Sequence, residues 1–213
     1  MIKNDARSVE AKNRATIEAY NKSAMDYSLI FSGYKSKRDH IMRAIQANVS
    51  GEPSALELGC GSGIDAKEII KQIGPENYVG VDASLELVKL ARNLNKEGTF
   101  HVKSFIGNDF WNKTGRFGVI LAFYSMLHVN QEEARQVLEN AYKTLEKGGV
   151  FYILSKHGDY KEIEIENFGN KKYYYSYKPE EIEGWVKGKF KTLYKVIEDT
   201  DYGPSFALLL RKI

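Results

Sequence analysis

Between residues 54 and 155 short apolar runs alternate with segments of helical period, and this alternation restricts the fold more than any other feature of the chain. ALEL (55–58), YVGVD (78–82), part of 100–106, GVILAFY (118–124) and VFYILS (150–155) read as strands. The first intervening helix carries Ile64, Ile69, Ile70 and Ile73 and stops at Gly74-Pro75. The next is capped by Ser84, bears Leu85, Val88, Ala91 and Leu94, and ends before Gly98. A third opens on a capping box of Asn130 and Glu133, carries Ala134, Val137, Leu138, Ala141 and Leu145, and runs to Gly148-Gly149. Strand and helix in strict alternation call for a parallel sheet with helices on both faces.

The two ends follow other rules. Residues 9–49 have helical stripes, Ile17, Tyr20, Ala24 and Tyr27 on one and Ile41, Ile45 and Val49 on another, and read as an N-terminal helical arm. Residues 156–178 read as a polar, tyrosine-rich connection leading to a short helix that opens at Pro179. The runs FKTLYKVIED and SFALLLRKI flank turn-forming residues 200–204 and predict an antiparallel hairpin. The expected fold is therefore α/β, a seven-stranded, mostly parallel sheet with a C-terminal antiparallel hairpin. At 213 residues the chain is read as one domain, residues 1–50 forming the arm and 51–213 the core.

Composition narrows the function. A near balance of 31 basic and 28 acidic side chains leaves a net charge of +3, too small and too mixed for a nucleic-acid surface, so a small-molecule partner is expected. The basic run YKSKRDH (34–40) is short and reads as a solvated helix start. With one cysteine, Cys60, there is no internal disulfide framework, and no closely spaced pair of histidines or cysteines suggests a metal. The first twenty residues lack the apolar core of a signal peptide, and the most apolar stretch, 119–129, falls short of the ~20 residues that span a bilayer. A cytoplasmic protein with no membrane anchor is expected.

The chemistry concentrates in ALELGCGSG, where Glu57 lies within the first strand and Gly59, Gly61 and Gly63 alternate at the strand-to-helix turn. Glycines there let the backbone approach a ligand, and the following helix presents unpaired amides to it. Asp82 ends the second strand, where a parallel neighbour places a carboxylate beside the same crevice, able to accept from both hydroxyls of a ribose. The plainer alternative for Asp82 is a cap for the helix that follows.

These residues resemble the class I S-adenosylmethionine-dependent methyltransferases, whose E-x-G-x-G-x-G motif is matched by Glu57, Gly59, Gly61 and Gly63. VGVDAS (79–84), IGNDF (106–110), YSMLHV (124–129), TLEKGGVFYILS (144–155) and the terminal hairpin extend the resemblance over most of the chain. It implies S-adenosylmethionine as cofactor, S-adenosylhomocysteine as product, and methyl transfer to a small-molecule acceptor. The Gly59–Gly63 turn, with the backbone of Cys60 inside it, would lie against the methionine part, and Glu57 would steady that turn or reach the amino end through water. Asp82 would hold the ribose, with Ala83 and Ser84 beside the adenine. Asp109, or Asn108 if the strand is shifted by one residue, would accept from the adenine amine while Phe110 packs nearby. Phe123 and Tyr124 would line the cofactor near its methyl group. Tyr27, in the arm segment AYNKSAMDY, would close over the site. Many family members carry an aspartate after the aromatic residue that begins the fourth strand, where this chain has Gly118 after Phe117.

Methyl transfer is an in-line displacement that needs acceptor and donor about 3–3.5 Å apart and water excluded. A base is needed only when a proton must leave, and His128, following the fourth strand, is the best-placed candidate. Tyr20, Tyr27 and Tyr34 in the arm, and Tyr173, Tyr174, Tyr175 and Tyr177 before the last helix, could face a sulfonium or a flat acceptor, or pack as ordinary core. Two other functions compete. One is a cofactor-binding protein without transferase activity. The other is an NAD(P)-dependent oxidoreductase, because GSGIDA (61–66) fits G-x-G-x-x-A.

Overall fold

The computed structural model describes residues 6–32, 37–167, 169–200 and 203–213. Tyr34, with part of the basic run that contains it, lies outside them. Strands β1 (Ala55–Leu58), β2 (Tyr78–Asp82), β3 (Thr99–Val102), β4 (Phe117–Phe123) and β5 (Leu145–Lys156) are parallel. Strands β6 (Lys161–Asn167) and β7 (Asn170–Ser176) pair only with each other, and β8 (Phe190–Thr200) and β9 (Gly203–Lys212) are the antiparallel hairpin expected at the C-terminus. The main sheet has seven strands in the order β3-β2-β1-β4-β5-β9-β8. Strand order runs outward from β1 in one direction and resumes at β4 on its other side, so a crevice opens beyond the carboxyl ends of β1 and β4.

The strands read as unbroken apolar runs because both faces of the sheet are covered. Val119, Leu121 and Phe123 of β4 face one core together with Tyr152 of β5, and Ile120 and Ala122 face the other with Phe151 and Ile153. The first core is covered by α3 (Arg38–Ala47), α4 (Ala66–Ile73) and α5 (Leu85–Leu94), and the second by α6 (Gln131–Thr144) and α7 (Pro179–Trp185). The expected caps form: the Ser84 hydroxyl accepts from the Leu87 amide, and Asn130 with Glu133 makes a reciprocal capping box.

Gly118 has a steric reason. A Cβ there would lie 1.9 Å from the Glu52 carbonyl oxygen and 2.5 Å from Asn48 Nδ2, so no side chain, aspartate included, fits at the start of β4.

Two expectations need revision. The stretch 156–178 is not a mere connection, since most of it forms the β6-β7 ribbon. The helix with Ala134 and Val137 ends at Thr144, not at the glycines. Leu145 has left it to pair with Phe117, and its carbonyl is taken by Lys212 Nζ (2.7 Å) and Arg116 (3.2 Å). The third strand, expected in part of 100–106, begins at Thr99 and ends at Val102. The arm itself comprises α1 (Ala6–Lys22) and α2 (Ala24–Ser32), which lead on to α3.

Candidate active site

The crevice is a cleft of about 740 Å³, counting its open mouth. Its floor is built by the ends of three strands. At the end of β1 Gly59 and Gly61 turn with φ of +70° and +55°, values that strain any residue with a side chain. The turn is tight as well: a Cβ on Gly59 would meet Ser125 Cβ at 2.4 Å. Ser125 is pinned there, its hydroxyl donating to the Leu58 carbonyl at 2.6 Å. Just before it Tyr124 adopts φ +55°, unusual for a bulky residue, at the position where β4 ends.

Asp82, at the end of β2, holds two parts of the floor together. One carboxylate oxygen accepts from the Gly61 amide at 2.9 Å and the other from the Ser84 amide at 2.8 Å. Burial pushes this carboxyl up, while the N–H groups of Ser84, Gly61 and Ala83 hold it down. Each oxygen keeps a lone pair beyond its backbone partner, so bracing the turn does not exclude accepting from a diol.

The roof comes from parts of the chain far apart in sequence. Helix α1 is tied to the ribbon by Lys12 to Glu162 (2.7 Å) and by the Tyr173 amide to Thr16 (3.2 Å). Asn13 bonds Glu133 at the start of α6, and Asn21 accepts from the Ser84 hydroxyl and the Glu86 amide at the start of α5. Tyr27 reaches from α2 to within 3.8 Å of where a Gly61 Cβ would stand. Tyr20 packs edge-on against both Tyr27 and His128.

His128 has a defined tautomer. Its Nδ1 faces the Tyr173 carbonyl at 3.0 Å, which can only accept, so Nδ1 carries the hydrogen. Nε2 then accepts from the Tyr20 hydroxyl at 2.9 Å. Burial lowers the pKa of the imidazole to about 4, and the nearby Lys172 charge acts in the same direction, against the bond to the Tyr173 carbonyl, so the ring is neutral.

Of the residues singled out in the sequence, Tyr27, Gly59, Gly61, Asp82, Ala83, Ser84, Phe123, Tyr124 and His128 line the cleft together. Glu57 stands beneath the turn, only 2% exposed, accepting from the Tyr78 hydroxyl at 2.5 Å. Cys60 and Gly63 belong to the turn but not to the cleft wall; Asn95 and Ala91 fill the space beside Gly63. Asn108, Asp109 and Phe110 are not part of the wall either. Asn108 accepts from Gln136 and Asn140 of α6, Asp109 is exposed, and Phe110 packs on Trp111.

The residues of this loop that do line the cleft are Ser104, Phe105 and Ile106. Since β3 ends at Val102, opposite Asp82, and the Lys103 amide bonds the Asp82 carbonyl, the chain crosses the crevice several residues earlier than expected. The sequence signal was the end of the β-forming run TFHV. Asn13, Thr16 and Ile17 of α1 also line the cleft and carried no motif.

Residues 55–149 match the family of methyltransferase domains. Among curated proteins, the chain is 31% identical over 126 residues to ribosomal RNA large subunit methyltransferase G of Pseudoalteromonas translucida, covering 55% of this chain and 33% of that protein. It spans only about a third to a half of the lengths of the first curated relatives it matches. Among solved structures, magnesium protoporphyrin IX methyltransferase from Synechocystis with bound S-adenosylhomocysteine superposes with TM-score 0.71 at 12% identity, covering 95% of this chain and all (100%) of that one. The 1,6-didemethyltoxoflavin-N1-methyltransferase of Burkholderia thailandensis, holding its substrate and S-adenosylhomocysteine, gives 0.71 at 16% identity over 93% of this chain and 88% of that one.

Proposed function

We propose that this chain, whose residues 55–149 carry a methyltransferase domain on a class I methyltransferase fold, transfers a methyl group from S-adenosylmethionine to a small-molecule acceptor in the cytoplasm. The observation that carries the reading is the convergence of the Asp82 carboxylate and the Gly59–Gly61 turn on one roofed cleft. The donor set fits the cofactor: a carboxylate with free lone pairs for a ribose diol, a side-chain-free turn for the amino-acid part, apolar Ile106, Phe105 and Leu87 for the adenine, and aromatic Tyr27, Phe123 and Tyr124 for the sulfonium region. When bound, S-adenosylmethionine supplies an electrophilic methyl carbon on a positive sulfur.

The chain's residues then orient and enclose. Asp82 fixes one end, the α1-α2 roof excludes water, and the acceptor lies between Tyr20, Thr16, Ser104 and His128. For an acceptor that loses a proton, neutral His128 is the base. Because Tyr20 donates to Nε2, the proton reaches His128 through the Tyr20 hydroxyl: the acceptor gives its proton to the Tyr20 oxygen as Tyr20 gives its own to Nε2. A small acceptor is favoured over RNA because the arm covers the cleft, and because the toxoflavin and porphyrin enzymes of the same fold act on small molecules.

Two results test this reading. Calorimetric titration should find S-adenosylhomocysteine binding and no NADH binding. Asp82→Ala should weaken the former by about 1–3 kcal/mol, roughly 5- to 150-fold, while circular dichroism reports an unchanged fold. NADH binding alone would revive the oxidoreductase, and unchanged affinity in folded Asp82→Ala removes the ribose role. In a screen of hydroxyl and amine acceptors with methyl-labelled donor, His128→Gln should keep product affinity and lose about 10²- to 10⁴-fold in transfer rate. Equal rates in the two proteins would mean that His128 takes no proton.

A further inference from the structure

The amino-acid end of S-adenosylmethionine carries an ammonium and a carboxylate. Among the described residues that line the cleft, Asp82 alone carries a formal charge, and it is assigned to the ribose. Two further charges stand next to the glycine turn. Asp65 occupies the N-cap position of α4, yet its side chain caps no amide of that helix. It is turned instead toward the arm, where Oδ2 accepts from Lys37 Nζ at 2.5 Å. Lys37 belongs to the basic run ahead of α3, and its ammonium lies 5.7 Å from the centre of the Phe123 ring, which is part of the cleft wall.

The other oxygen of Asp65, Oδ1, has no hydrogen-bond partner among the described residues, although Asp65 is only 7% exposed. A buried acceptor without a donor is rare in folded proteins and calls for an explanation. Its surroundings place it beside the cofactor's turn. Burial raises the pKa of Tyr27, and the carboxylates of Asp82 and Asp65 add to that effect, so both lie near the hydroxyl that roofs Gly61. Lys37 is 30% exposed, which leaves its long stem room to turn along Phe123 toward the crevice.

The ion pair need not break to meet a zwitterion. A lysine ammonium has three donors and Oδ2 takes one, while Oδ1 takes none. A ligand ammonium on Oδ1 and a ligand carboxylate on Lys37 would set four charges in alternation, each beside opposite ones, so that none is desolvated alone. We infer that Lys37 and Asp65 recognise the amino-acid end of the cofactor, Lys37 holding its carboxylate and Asp65 Oδ1 its ammonium. The inference rests on the methyltransferase reading and deepens it. Lys37 comes from the arm and Asp65 from the floor, so the amino acid of the cofactor ties the two together.

The test titrates the full chain by calorimetry with ligands that share one thioadenosine. S-adenosylhomocysteine has both charges, its decarboxylated analogue only the ammonium, its deaminated analogue only the carboxylate, and 5′-methylthioadenosine neither. In the parent protein S-adenosylhomocysteine should bind about a hundredfold tighter than 5′-methylthioadenosine. Lys37→Met should weaken the two carboxylate-bearing ligands about tenfold or more and leave the others no weaker. Asp65→Asn should do the same to the two ammonium-bearing ligands, and Lys37→Arg should keep the parent order. The inference is overturned if the parent binds S-adenosylhomocysteine no tighter than 5′-methylthioadenosine, or if the folded variants keep the parent affinities. It is equally overturned if each variant weakens every ligand alike, the mark of a latch that only shapes the turn. Should Asp65→Asn fail to fold, the variants of half-exposed Lys37 decide. If neither S-adenosylhomocysteine nor 5′-methylthioadenosine binds, the methyltransferase reading falls instead, which keeps the two failures apart.

Discussion

Glu57→Gln is expected to stabilise the free protein above neutral pH, by a margin that grows as the pH rises. Glu57 lies under the glycine turn, fully enclosed, and burial together with nearby Asp65 raises its pKa to about 8 against the opposing effects of the Tyr78 bond and Lys37. In the unfolded chain the same carboxyl titrates near 4.5. Below that pH both states hold the proton and the group contributes no pH dependence. Between 4.5 and about 8 the unfolded chain releases its proton and the folded one does not, so stability falls by about 1.4 kcal/mol per pH unit. The loss is complete once the folded group ionises, at about 4–5 kcal/mol on this scale, an upper bound. Glutamine keeps an oxygen for the Tyr78 hydroxyl and has no proton to lose. Urea unfolding of both proteins from pH 4 to 9 should give curves that converge at the acid end and separate by about 3 kcal/mol or more at pH 8. A constant offset would show that Glu57 is ionised in the folded protein.

Gly118→Ala should be the most damaging single-methyl addition in the sheet, at about 2–4 kcal/mol, combining overpacking against backbone with loss of a hydrogen bond. The Glu52 carbonyl that the new methyl would strike accepts from Asn48 at 2.7 Å, and the Gly118 amide bonds Ser54 at 3.0 Å, so neither partner can retreat cheaply. For a protein of this size the melting temperature should drop on the order of 5–15 °C. Gly115→Ala, where a Cβ meets nothing within 4 Å, is the control and should melt close to the parent. If the two variants melt alike, the Glu52 strand entry is softer than the geometry implies.

The five parallel strands and the terminal hairpin were legible because each carries its burial in its sequence: apolar on both faces in the parallel core, turn residues between β8 and β9. The cleft floor was legible for the same reason, since glycines and Asp82 fall where strands end. The ribbon was not. Its buried positions are Lys172, Tyr175 and Ser176, while Ile163, opposite Tyr174, is exposed, so hydrophobicity does not mark which positions are buried. The two-residue alternation of Glu162, Ile163, Glu164, Ile165 and Glu166 was present but unsupported by any apolar partner. The Ser104–Ile106 wall was missed for a different reason: the resemblance put the adenine contact on residues 108–110, and the end of the third strand was left open within 100–106, boundaries being what periodicity defines least well. Tyr20 was visible only as one tyrosine among many; its bond to His128 joins residues 108 positions apart.

The ribbon is fastened at its root. Tyr177 exchanges backbone bonds with Lys156 and Gly158, donates its hydroxyl to the Val129 carbonyl, and packs on Trp185. Its arms share no ladder with the seven-stranded sheet. Residues can therefore be inserted or deleted in pairs, one on each arm, without changing the register of any strand that builds the cofactor floor. Arm length therefore sets the surface that backs Tyr20 and His128, and a lineage could alter what it methylates by lengthening a hairpin while the cofactor end stays fixed.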